Sequence, residues 1–151
     1  MTTELYGYCF AFSVLGYLTG TILCRYLLTR IGLARCFRLG SQMSLGAGLL
    51  LLLLVNLGWH HWTVLVGCMF LTMLAHGVNF PCVQAGAVAP FPLQAGAAAG
   101  LMGSIMMLAA LLVGIWVGAS HDGTLYPLAT ISAVIGIALY ASARILARYH
   151  A

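Results

Sequence analysis

Hydrophobic and polar positions divide the chain into five long apolar blocks separated by short joints: residues 5–24, 39–57, 62–89, 95–119 and 125–142. Crossing the hydrocarbon core of a bilayer takes roughly 20 mostly apolar residues in a helix, which is close to the length of each block. None shows the alternation of apolar and polar residues that a membrane β-barrel needs. The pattern therefore predicts an all-α membrane protein, a single transmembrane helical domain over residues 1–151 with about five spans. The third and fourth blocks are long enough to tilt or to project beyond the hydrocarbon. Asn56-Leu57-Gly58-Trp59-His60-His61 joins the second span to the third, with Trp59 and Trp62 suited to the headgroup boundary. Ala89-Pro90-Phe91-Pro92 breaks the helix before the fourth span, because each proline lacks a backbone donor and disfavours helix just before it. Ser120-His121-Asp122-Gly123 is the last turn.

Composition agrees. The chain is 63% hydrophobic and 5% charged, against about 25% charged in a soluble domain, so it lacks the polar groups to cover a water-facing surface. No Asp, Glu, Lys or Arg occurs between Arg38 and Asp122. The basic residues are six arginines in two places: Arg25, Arg30, Arg35 and Arg38 after the first span, and Arg144 and Arg148 at the C-terminal end. Glu4 and Asp122 are the only acids. The excess of Arg on cytoplasmic segments puts the four-arginine joint and the C-terminus inside, and the N-terminus, His60, His61 and Asp122 outside. Basic charge is thus a topology signal, and nucleic acid is not an expected partner. There is no secretory signal peptide pattern. A short N-terminus with Glu4 and a few polar residues can be translocated; five spans with an outside N-terminus are also what remains when upstream helices are missing.

Chemistry is sparse. Small residues at four-residue spacing, Gly16/Gly20, Gly96/Gly100/Ser104 and Gly114/Gly118, allow close helix approach. The second span, with its 49–54 leucine run, is apolar on every face and expected against lipid. In the third span His76 lies near the middle and Asn79 one turn later. Pro81 removes the donor for the Gly77 carbonyl and, with Pro90 and Pro92, is an expected helix break; Gln84 follows. Polar groups at membrane depth usually face a cavity or each other. His76, Asn79 and Gln84, with Tyr17 of the first span, are therefore candidates for a solute pathway, or alternatively for interhelical hydrogen bonds worth about 1 kcal/mol each. No paired carboxylate or nucleophile–base pair points to an enzyme. His60-His61 fits a polar loop better than a metal site. Cys9, Cys24, Cys36, Cys68 and Cys82 lack CxxC spacing and read as small apolar side chains. No metal or other cofactor is expected.

Three segments carry a family resemblance. Gly16-x-x-x-Gly20, then Cys24-Arg25-Tyr26-x-x-x-Arg30-Ile31-Gly32-x-x-Arg35-x-x-Arg38-Leu39-Gly40, resembles the degenerate second copy of the major facilitator loop motif, between helices eight and nine. Leu5-Tyr6-Gly7-Tyr8-Cys9-Phe10-Ala11-Phe12 resembles the opening of helix eight in Bcr/CflA-type drug exporters. Ala89-Pro90-Phe91-Pro92-x-x-Ala95-Gly96-x-Ala98-Ala99-x-Leu101 resembles their joint between helices ten and eleven. The resemblance implies helices eight to twelve, an incomplete C-terminal half of a major facilitator bundle in a bacterial inner membrane. It implies multidrug/proton antiport by alternating access, with the first, third and fourth spans facing the cavity and the second and fifth peripheral. The implied partners are the lipid bilayer, a small-molecule solute, protons, and the missing N-terminal half or another copy. A fragment of this kind is expected to be inactive alone. Arg25, Arg30, Arg35 and Arg38, turned by Gly32, would form a gate latch on the cytoplasmic side, or an anchor to anionic lipid at about 1 kcal/mol per arginine. The alternative to a transporter fragment is a small membrane scaffold or accessory subunit without transport activity.

Overall fold

A computed structural model describes the backbone of residues 3–59, 61–120 and 124–149, and the side chains of 7–59, 61–120 and 124–146. Among the described residues there is no strand. Five long helices follow one another: α1 (Thr3–Ile31), α2 (Leu33–Asn56), α3 (Trp62–Val88), α4 (Ala95–Ala119) and α5 (Tyr126–Tyr149), with a short 3-10 turn at Pro92–Gln94 leading into α4. All five are long and apolar enough to cross a membrane, as an integral membrane protein requires.

The element boundaries differ from the apolar blocks in an informative way. Helix α1 runs through Arg25 to Ile31, and α2 starts at Leu33, so the arginine-rich joint is two helix ends around one residue. Gly32 has φ 78 and ψ 171, a conformation open essentially to glycine alone. Arginine is a good helix former, so helix continues beyond the apolar block until the glycine stops it. The proline expectation needs correcting at one position. Pro90 and Pro92 lie at the joint before α4, but α3 passes through Pro81 without a break, losing one backbone bond while its packed neighbours keep the chain helical. At the start of α3, His61 Nδ1 lies 2.8 Å from Thr63 Oγ1 and accepts from the Thr63 N–H.

Packing runs α1–α3–α2–α5, with α4 touching α3 and α5 only lightly. Glycines set the close approaches. A Cβ on Gly16 would fall 2.6 Å from the Phe70 carbonyl oxygen, and Gly20 and Gly77 face each other across the α1–α3 seam. Phe12 stacks on Phe70 beside them, with ring centroids 4.8 Å apart. Between α2 and α5, a Cβ on Gly48 would stand 2.6 Å from the Ser132 carbonyl oxygen, and one on Gly136 would stand 2.9 Å from Leu45 Cα.

Two expectations fail here. Helix α2 is not a lipid-facing outlier: Cys36, Gly40, Ser41, Ala47, Gly48, Leu51 and Val55 form a buried stripe at helical spacing. The leucine run disguised it, because the buried stripe consists mostly of small residues. The small-residue stripes of α4 have the opposite fate: a Cβ on Gly96, Gly100, Gly114 or Gly118 would meet nothing within 4 Å.

Candidate functional site

The polar residues of α3 meet hydroxyl groups from its two neighbours. Asn79 is 4% exposed, and its Nδ2 donates to Ser44 Oγ of α2 at 2.9 Å. Its Oδ1 is buried and has no hydrogen-bond partner. Room for this amide comes from Gly40, where an added Cβ would collide with the Asn79 side chain. Beside it lies a cavity of about 120 Å³ reached by Ser44, Thr72, His76, Asn79 and Ser132, with Gly48 and Gly136 opening its wall. Thr72 Oγ1 donates to the Cys68 carbonyl at 2.9 Å and Ser132 Oγ to the Leu128 carbonyl at 2.8 Å. Those two hydroxyls therefore turn their protons to their own helices and offer lone pairs to the cavity. Asn79 Oδ1 lies against Gly40, and the cavity meets those lone pairs together with the Ser44 hydroxyl and the His76 ring. It suits water or a small polar group.

His76, next to the midpoint of α3, stands at the edge of this cavity. Its ring lies 5.8 Å from that of Tyr17 on α1 and 5.6 Å from that of Phe80. Three of the four pathway candidates, Tyr17, His76 and Asn79, are thus neighbours. Gln84 is half-buried two turns beyond His76 and does not line the cavity. The cavity is small beside the roughly 300–1,000 Å³ of a site for a drug-sized ligand, so by itself it holds water or one small polar group.

The arginines mark the α1–α2 turn. Arg25, Arg30, Arg35 and Arg38 are exposed, and the Arg30 guanidinium lies over the Tyr26 ring, 5.4 Å from its centroid. Arg144 stands in the same way over Tyr140, at 5.8 Å. His60, His121, Asp122 and the side chains of Glu4 and Arg148 lie outside the described residues.

Two groups of functional candidates escape the sequence reading. One is the set of hydroxyls, Ser44, Thr72 and Ser132. Their signal is the spacing Gly40-x-x-x-Ser44-x-x-x-Gly48 in α2 and Ser132-x-x-x-Gly136 in α5. The other is a thiol cluster. Cys24 Sγ lies 3.9 Å from Cys36 Sγ and 3.7 Å from Cys82 Sγ, and all three residues are buried. They come from three helices, so no linear spacing announces them.

No protein-family model, no curated protein and no solved structure matches this chain.

Proposed function

We propose that this chain is part of a membrane transporter for small molecules, a C-terminal portion resembling that of a major facilitator drug/proton antiporter, which needs further helices to act. The observation that carries the reading is the polar cavity beside the middle of α3, where His76, Asn79, Ser44, Thr72 and Ser132 converge in helices otherwise made for lipid. Uncompensated polar groups at membrane depth are costly.

The cavity lies between α3 and the two helices that the resemblance makes peripheral, α2 and α5, so of the helices it turns toward the pathway only α3 lines it. The support from packing comes from α4. The third pathway helix, α4, has no buried residue, as expected of a helix whose main neighbours lie in other parts of a larger bundle. On this reading Arg25, Arg30, Arg35 and Arg38 lie on the cytoplasmic side, with the C-terminus.

Coexpression with a seven-helix N-terminal portion of a Bcr/CflA-type exporter tests the proposal. Restored efflux of a cationic dye from cells, lost again with His76→Ala or Asn79→Ala, is the expected result. Efflux that returns but ignores both substitutions would remove the pathway role. No efflux, with the two parts shown to be inserted and associated, would favour a scaffold or accessory role instead.

A further inference from the structure

We propose that Cys24, Cys36 and Cys82 form a three-sulfur binding site for a soft monovalent metal ion, copper(I). The argument starts from geometry. Three sulfurs bound to one metal at about 2.3 Å, the length of a metal–thiolate bond in zinc sites, stand about 4.0 Å apart when the metal lies in their plane. The observed separations are 3.9 and 3.7 Å, and all three sulfurs lie within 4.8 Å of one another. Closing the ring around an ion therefore needs shifts of tenths of an ångström. The three thiols also arrive from α1, α2 and α3 at one point, although their helices share no local sequence motif.

The surroundings select the ion. The hydrophobic side chains packed against this cluster include the thioether of Met43, and among the described residues no His, Asp or Glu ligand atom joins the three sulfurs. Thiolate and thioether sulfur with no imidazole or carboxylate suits copper(I), whereas calcium and magnesium require oxygen. Three protein ligands also leave a tetrahedral zinc site incomplete, while copper(I) is satisfied by three. Each thiol that binds as thiolate forms one copper–sulfur bond and gives up one proton to solvent; the copper stays monovalent and no electron is transferred. Cys36 lies in the first turn of α2, at the positive end of its dipole. Arg25 and Arg35 adjoin two of the ligands in sequence, with their side chains exposed.

The test is anaerobic titration of the full chain in detergent micelles with copper(I) against a competing chelator. One ion per chain is expected, with three sulfur neighbours at about 2.3 Å by X-ray absorption. The Cys9→Ser/Cys68→Ser double variant should bind unchanged. Cys24→Ser should bind at least about 100-fold more weakly, since even outer-shell changes reach that size. No copper retained against the chelator, binding indifferent to Cys24→Ser, or preference for zinc(II) would overturn the proposal. Should Cys24→Ser fail to fold, pulsed alkylation of the unaltered chain replaces it. Copper(I) is expected to slow labelling of Cys24, Cys36 and Cys82 at least tenfold and to leave Cys9 and Cys68 as they were. Equal effects at all five would contradict the site.

Discussion

Helices α2 and α4 are nearly equal in length, 24 and 25 residues, and both carry small residues every fourth position, yet they end in opposite environments. In α2 the stripe Gly40, Ser44, Gly48 is met by Asn79 of α3 and by Ser132 and Gly136 of α5. In α4 a Cβ on Gly96 or Gly100 would meet nothing within 4 Å, and the hydroxyl of exposed Ser104 turns back to the Gly100 carbonyl. A small-residue stripe permits close approach but does not select it. Selection comes from a complementary stripe or a polar partner on a neighbouring helix, and α4, the most apolar of the five, has neither among the described residues.

That contrast is open to direct attack. The largest effect is expected where two glycines interlock. Gly20→Ala or Gly77→Ala forces α1 and α3 apart and should cost about 1–3 kcal/mol, as overpacking does, in reversible unfolding from mixed micelles. Gly100→Ala in α4 should shift the same measurement by less than about 0.5 kcal/mol. An equal loss at both positions would erase the distinction between the helices. Next comes the α1–α2 turn: Gly32→Ala places a side chain at φ 78 and should cost about 1–3 kcal/mol, read by the same unfolding measurement.

The Asn79–Ser44 pair should give a smaller but more diagnostic result. Ser44→Ala leaves the buried Asn79 amide without its acceptor and should cost about 1–2 kcal/mol. Adding Asn79→Leu should recover part of that, because removing both partners is cheaper than orphaning one. If the double variant is worse than the sum of the singles, the amide is held by something other than Ser44. The smallest effect in the isolated chain is expected for Gly114→Ala and Gly118→Ala. These substitutions sharpen the comparison, since they should become costly only when further helices cover α4.

The five apolar spans, the joints at Pro90 and Pro92 and the turn at Gly32 were legible because each rests on a local cause: length of apolar run, a missing N–H, or a required positive φ. His76 and Asn79 were legible because a polar residue stands out in an apolar span. The partners Ser44, Thr72 and Ser132 were not, because hydroxyls are common in membrane helices and can satisfy themselves against their own backbone. Helix α2 was misplaced because its leucines dominate its average, while its buried face is written in Gly, Ser, Ala and Cys. Pro81 misled for a related reason: a proline at the end of an apolar block and one inside it look alike in sequence, and only packing tells them apart. The thiol cluster depends on three helices meeting, which is tertiary information.

The claim beneath all of this is that five helices cross the bilayer in turn, so that alternate joints share a side. Single cysteines introduced at Arg35, Trp59, Phe91 and Thr124 in a cysteine-free chain, labelled with a membrane-impermeant reagent in oriented vesicles, test it most directly. Labelling of Arg35→Cys with Phe91→Cys from one face, and of Trp59→Cys with Thr124→Cys from the other, is expected. Arg35→Cys and Phe91→Cys reacting from opposite faces, or a chain released from membranes by alkaline washing, would contradict it.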